Sequence, residues 1–406
     1  PAPGARTIPW RSNDQTRLPT RASDRRFAMT GLDFRGRVIA ATIVIACGVA
    51  IPRLVAAQES DEEPRYLYYR PLIAYGSESV QGPLNALTNR GLSNLYYGGD
   101  HRDVLSVNWG ERFGAVFGAL AHPFEAVESI GGWGELIHRE VLIASPEIWE
   151  WSWTSNVAGH IVAGGLSYRY LREWLDYRGV PVPALGASAI VFGANLLNEA
   201  LEWPRGPKER AGRMADVYFF EPLGILVMSH DGIARFFTET LRAADWSPQA
   251  SFTLPHARVQ NVGQVMSYKV PLPWFGETRG LLTIGLVAQA GLIRPIGDGY
   301  NLGWTFGFSG RGRTVDPDTG LERWETDLAG GVYIDRHNSL LGSLILSEHA
   351  YTRVQANMFP GVLPGALRPL GVWLTHNEGG SWSFGIGTRH SMGLGLGYDL
   401  DRPASH

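Results

Sequence analysis

Cysteine is almost missing from this chain: Cys47 is the only one in 406 residues. It lies inside an apolar leader, so no disulfide framework, thiolate nucleophile or Cys-based zinc site is available to the rest of the molecule. Lysine is nearly absent too, at Lys208 and Lys269 alone. Charged residues make up only 18% of the chain, below the usual quarter or so of a soluble domain. Basic charge is scarce beyond the N-terminal region. Residues 1–57 hold nine Arg and three Asp, which leaves 27 basic against 36 acidic residues and a balance of −9. That sign excludes general nucleic-acid binding. What is abundant is glycine, 50 residues, and tryptophan, 14 residues. Glycine spread through aromatic segments points to tightly turned β-structure or close backbone approach.

From Met29 the sequence has the three parts of a signal peptide: MTGLDFRGR is basic, VIAATIVIACGVAI is apolar, and PRLVAAQES ends in small residues. Val55 and Ala57 fit the −3 and −1 positions of a cleavage site, which makes Gln58 the first mature residue. The apolar run is short for a membrane span. An uncleaved anchor, or a lipoprotein box at Val44–Cys47, would be the alternatives, and all three place the protein in the cell envelope of a Gram-negative bacterium. Residues 1–28 are Arg-rich and read as an overlong gene start.

The rest divides by hydrophobic period. Residues 58–112 are irregular, with one strand-like piece at 104–109. Residues 113–245 read as helices: 154–178 stopped by Gly179 and Pro181, 184–203 between Pro183 and Pro204, 216–228 interrupted by Pro222, and 232–241. Gly159/Ala163 and Ala189/Gly193 put small residues at spacing four, which lets helices approach closely. None of these helices is read as a charge-free span of about 20 residues, so they form a compact bundle. From 246 to 400 the period is two. Leu302, Trp304, Phe306 and Phe308 alternate with Gly303, Thr305, Gly307 and Ser309, and the same pattern recurs at 382–386 and 392–398.

One strand face is thus large and apolar, and the other is small and uncharged. A soluble sandwich normally turns a charged face to water, whereas an outer-membrane barrel turns its apolar face to lipid. The expected fold is therefore α+β: a helical domain followed by a small antiparallel β-barrel, with a periplasmic β-sandwich as the alternative. Nine strand-like segments between 262 and 400 suffice for about eight strands of the ~10 residues needed to cross a bilayer. Against the barrel, the chain runs on past Tyr398 to Asp-Arg-Pro-Ala-Ser-His, where such barrels usually end on an aromatic residue.

Polar residues gather on the helices. Asn156 and His160 are four apart, with Gly164 in the same line, and Asn195, Glu199 and Glu202 share one face of the next helix. Asn198 lies beside Glu199, and Asp216 follows before Pro222 and Gly224. If the helices are antiparallel neighbours, His160, Glu199, Glu202 and Asp216 converge. Carboxylates with one imidazole can hold a divalent cation or activate water, so His160, Glu199 and Glu202 are the metal candidates and Asp216 joins them as a catalytic candidate. Asn156, Asn195 and Asn198 are binding candidates. The alternative is a buried hydrogen-bond network that fixes helix register, and this is the expectation, because the spacing matches no specific catalytic motif. No cofactor-binding motif is present.

The run Trp153-Thr-Ser-Asn156-x3-His160-x3-Gly164, then Asn198-Glu199-x2-Glu202 and Asp216-x5-Pro222-x-Gly224, resembles a family of bacterial envelope proteins classed as a domain of unknown function. In that family the His is followed directly by Pro, whereas Ile161 follows His160 here. The resemblance covers residues 150–228 and implies an envelope location, with no activity attached.

Weaker motifs have ordinary explanations. Glu135-x-x-His138 has the spacing of a di-iron half-site, but no second copy exists, so it reads as an exposed helical pair. Arg336-His337-Asn338-Ser339 and Arg389-His390-Ser391 resemble the His/Ser pairs of outer-membrane lipid hydrolases, yet both sit at expected hairpin turns. The basic run 205–213 reads as a solvated loop. The functional expectation is an outer-membrane-associated protein, contacting outer-membrane lipid, in a structural, transport or assembly role. Its rivals are a membrane-bound hydrolase or metal-dependent enzyme built on the helical cluster, and a soluble periplasmic binding module. Protein partners and substrate are not legible.

Overall fold

Prolines open several of the helices, at the first turn where a missing N–H costs nothing. They begin α1 (Pro83–Gly91), α3 (Pro123–Glu128), α6 (Pro183–Leu201) and α7 (Pro207–Ala215). The computed structural model describes residues 66–97, 104–141, 155–202, 207–315, 322–348, 351–389 and 393–400. The leader, Cys47 and residues 1–28 lie outside them. The other helices are α2 (Trp109–Ala121), α4 (Trp133–Glu140), α5 (Gly165–Tyr177), α8 (Glu221–Ser229) and α9 (Asp231–Arg235).

Wide π-helical runs join them: Ser155–Gly164 leads into α5, Asp216–Phe220 links α7 to α8, and Phe236–Thr240 follows α9. The helix expected at 154–178 ends as read, with Gly179 at φ 71°. Pro222 does not interrupt its helix. The wide turn just before it absorbs a residue that has no N–H to donate, so the chain stays helical from Pro207 to Ser229. Residues 104–109 form no strand. The Asn108 side chain accepts from the Glu111 backbone N–H and caps α2 there. The basic run is no loop either, since its described part is α7. Pro183–Leu201, at 19 residues, is long and apolar enough by length and composition to cross a membrane, where the sequence reading finds no such span. In this fold it packs against α1, α2 and α5, with Val191, Asn195 and Glu199 buried.

Among the described residues thirteen strands form one sheet: β1 (Ala244–Asp245), β2 (Ser251–Leu254), β3 (Arg258–Gln260), β4 (Val265–Pro271), β5 (Arg279–Gly285), β6 (Val287–Gly297), β7 (Tyr300–Val315), β8 (Glu322–Arg336), β9 (Ser339–Ser347), β10 (Thr352–Met358), β11 (Leu370–Asn377), β12 (Trp382–Thr388) and β13 (Gly395–Leu400). β4 to β13 follow one another as antiparallel neighbours. β13 then pairs parallel with β2, β2 with β3, and β1 with β4. The α+β class holds, while the closed barrel and the two-sheet sandwich do not. The sheet is single and open, ending on β1 and β3, which with two and three residues are too short to continue a ladder.

The open sheet is strongly curled. Lys269 Nζ on β4 donates to Asp335 Oδ1 on β8 at 2.8 Å, whereas strands four places apart in a flat sheet lie about 19 Å apart. The concave face carries small and polar residues beside a buried apolar cluster that includes Leu281, Ile293, Tyr333 and Ile345. Gln289 Oε1 accepts from Thr305 Oγ1 at 2.7 Å and from the Tyr333 hydroxyl at 3.0 Å. Residues 75–97 pack into this concavity: Tyr96 shares a 2.9 Å hydrogen bond with Ser309, and Ser339 Oγ donates to the Tyr75 carbonyl at 2.8 Å. Gly76, at φ 68°, has Ser339 Oγ 2.3 Å from where a Cβ would stand, so a side chain would not fit.

The convex face is apolar. Over β4 and β5 it is covered by the helices: Met266, Tyr268, Leu282 and Ile284 pack with Leu166 and Leu171 of α5 and Val191 of α6. Each of the three fully enclosed helical side chains contributes about 1.5–3 kcal/mol by leaving water. On β7, β8, β9, β12 and β13 convex residues such as Trp304, Phe306, Leu328, Leu346, Phe384 and Leu396 are exposed, while Val354 and Ala356 of β10 are buried.

Candidate functional site

Two features of this fold are unusual for a protein surrounded by water. On the convex face Trp304, Phe306 and Phe308 of β7 are exposed, Phe306 at 59%, while Thr305 between them is 3% exposed. Leu328, Leu346, Phe384, Ile386, Leu396 and Tyr398 continue the exposed apolar surface across β8, β9, β12 and β13. The expected parity is therefore present, with the large residues outward and the small ones inward. The helices add to it through Tyr218, Phe219, Leu223 and Leu226, the last 69% exposed.

The second feature is a buried polar cluster where the π-helical runs meet α6. His160 lies in the run Ser155–Gly164 and Asp216 opens the run Asp216–Phe220. Glycines permit the approach. A Cβ on Gly224 would stand 2.6 Å from the His160 carbonyl oxygen, and one on Gly164 would stand 2.5 Å from Glu221 Oε1. The imidazole sits between two carboxylates, with Nδ1 3.3 Å from Glu221 Oε2 and Nε2 3.6 Å from Asp216 Oδ1. Glu221 is wholly buried and paired to Arg90 Nη2. Arg90 Nη1 also donates to the Gly159 carbonyl at 3.1 Å.

Glu199, from α6, completes the group: one ligand atom each from His160, Glu199 and Asp216 lie within 4.8 Å of one another, all buried. Arg213 Nε stands 3.9 Å from Glu199 Oε2. Burial, reinforced by the charges of Glu199, Glu140, Glu202 and Glu221, pushes the Asp216 carboxyl well above the usual carboxylate range.

Three of the four expected residues thus meet, and Glu202 does not join them. It is the C-cap of α6, where its carbonyl accepts from Arg213 Nη2 at 3.3 Å. Asn156 Nδ2 donates to Glu140 Oε2 at 2.7 Å, and Asn198 Oδ1 accepts from Ser93 Oγ at 2.7 Å, so both tie neighbouring segments together. Asn195 differs. It is 1% exposed, and neither its amide oxygen nor its nitrogen has a hydrogen-bond partner. With His160, Arg90, Gln264, Leu286 and Phe308 it lines a cavity of about 200 Å³ between the helices and the sheet.

Sequence reasoning missed Arg90, Arg213 and Glu221. Glu221 carried a readable signal, standing five residues after Asp216 and directly before Pro222. Among the weaker motifs, Glu135 and His138 are exposed on α4 and outside the cluster. His337 occupies the β8–β9 turn at φ 49°, its Nδ1 2.8 Å from the Tyr75 hydroxyl, which fits the turn reading. His390 and Ser391 lie outside the described residues. Comparison with family models, curated proteins and solved structures finds no match to this chain.

Proposed function

We propose that this chain is an outer-membrane-associated envelope protein in which the convex face of the curled sheet contacts lipid and the helical domain faces the periplasm, in a structural, transport or assembly role. The observation that carries this reading is the inverted polarity of β7: Trp304, Phe306 and Phe308 outward, Thr305 and Ser309 buried. Exposed apolar surface on β7, β8 and β9, with a second group on β12 and β13, is a liability in water and the normal state against acyl chains. β6 to β9, with nine to sixteen residues each, are long enough to cross the hydrocarbon core. The leader from Met29 and the resemblance over residues 150–228 support the same compartment. Density-gradient fractionation tests it: the protein should move with outer membrane, resist carbonate extraction and shift on gels with boiling. Recovery in the soluble periplasmic fraction would overturn it.

A further inference from the structure

The helical cluster has features that a self-satisfied network leaves unexplained. Asp216 Oδ1 is buried without a hydrogen-bond partner, and so are both amide atoms of Asn195. A buried polar atom left unpaired loses its hydration without a hydrogen bond in exchange. The imidazole is oriented as in a metal centre, since Nδ1 faces Glu221, which Arg90 holds in turn. With a cation on Nε2, that carboxylate–histidine pair would hold the Nδ1 proton and the ring's orientation, and Nε2 faces Asp216. The Nε2 to Asp216 Oδ1 distance of 3.6 Å is close to the ~3.4 Å edge of a tetrahedron whose ligands stand ~2.0–2.2 Å from the ion.

We infer that His160, Glu199 and Asp216 bind one divalent transition cation, with Glu221 and Arg90 orienting the imidazole. An imidazole with two carboxylates suits zinc, iron or manganese better than calcium or magnesium, which take oxygen alone. Three protein ligands leave a coordination position for water. Asn195, one helical turn before Glu199 and facing the same cavity as His160, is placed to hydrogen-bond that water. This inference is independent of the lipid-facing reading, because His160, Glu199, Asp216, Glu221, Arg90 and Asn195 are all buried and none belongs to the exposed convex face.

The test is zinc titration of the chelator-stripped full-length protein in detergent at pH 7.5, with bound metal counted by mass spectrometry. The wild type should hold one zinc per chain and melt at higher temperature with zinc than without. Asp216→Asn and Glu199→Gln, which keep shape, should each weaken binding at least about 100-fold, and Glu221→Gln by about 10–100-fold. Glu135→Gln, an exposed carboxylate on α4, should bind as wild type. Cobalt in place of zinc should give visible absorption bands that change in Asp216→Asn. If one variant does not fold, the other and the wild-type melting shift decide. A wild type that binds no stoichiometric zinc, or wild-type affinity in Asp216→Asn and Glu199→Gln, would overturn the inference.

Discussion

The sheet and the helical domain bury polar groups in opposite ways. In the curled sheet polarity is distributed: Gly303, Thr305, Gly307 and Ser309 of β7 face the concavity, and acceptors such as Gln289 are shared by several hydroxyls. In the helical domain polarity is concentrated, with His160, Glu199, Asp216 and Glu221 packed behind the aliphatic core of α5 and α6. A distributed network can lose one member and re-form around the rest, whereas in a concentrated one each deletion strands a charge.

The sharpest way to break that contrast is at Arg90. Arg90→Ala leaves Glu221 buried without its cation, which costs about 3–5 kcal/mol for a buried pair. Chemical denaturation should register a loss of that size, and Arg90→Ala with Glu221→Gln should recover part of it. A loss under 1 kcal/mol would show that the cluster tolerates deletion as the sheet does.

Next in size is the convex face. Phe306→Arg places a charge where lipid is proposed, at about 2–4 kcal/mol near the bilayer midplane, and should block insertion in a vesicle assay. Phe306→Leu should insert normally. Equal insertion of both would remove the lipid from the argument.

Within the concavity, Gln289→Leu removes the acceptor shared by Thr305, Thr283 and Tyr333, at about 1–3 kcal/mol. The expected cost is below that of Arg90→Ala, because the hydroxyls can turn to one another. A larger loss than Arg90→Ala, measured by the same denaturation, would reverse the contrast.

The two regions also differ in how far their sequence discloses them. β7, β12 and β13 are legible because large and small residues alternate along them, a pattern that a two-residue period explains. β1, β2 and β3 are not, since two to four residues carry no period. The segment 281–293 reads as one strand because its alternation is unbroken; only the backbone of Gly285, at φ 139°, divides it into β5 and β6. Barrel closure was overread, because parity fixes which face is apolar and leaves the pairing of the end strands open.

In the helices Gly179, Pro181 and Pro183 mark the boundaries plainly. The convergence of His160, Glu199 and Asp216 follows from their spacing once antiparallel packing is assumed. Arg90 is hidden by the 131 residues that separate it from Glu221. Asn198 beside Glu199 turns to Ser93 and Asn94 through the register of α6, and it lines the same cavity as Asn195.

The smallest effect separates a buried pair from an exposed one inside the helical domain. Arg169 Nη1 donates to Asp231 Oδ1 at 2.6 Å, but the Asp231 side chain is 70% exposed, so water and salt screen the pair. The hydrogen bond from Arg169, followed by its charge, holds the Asp231 carboxyl below its ordinary value. A carboxyl with a lowered value in the folded state releases its proton more readily there than in the unfolded chain. Its contribution is therefore complete above the unfolded value of about 4 and fades as pH falls through the lowered folded one. Asp231→Asn should cost less than about 1 kcal/mol at pH 6. The gap to wild type should close as pH approaches 3, and it should shrink in 1 M salt. A gap that persists at pH 3, or grows there, would mean that Asp231 acts through packing, and the distinction between screened and buried pairs in this domain would fail.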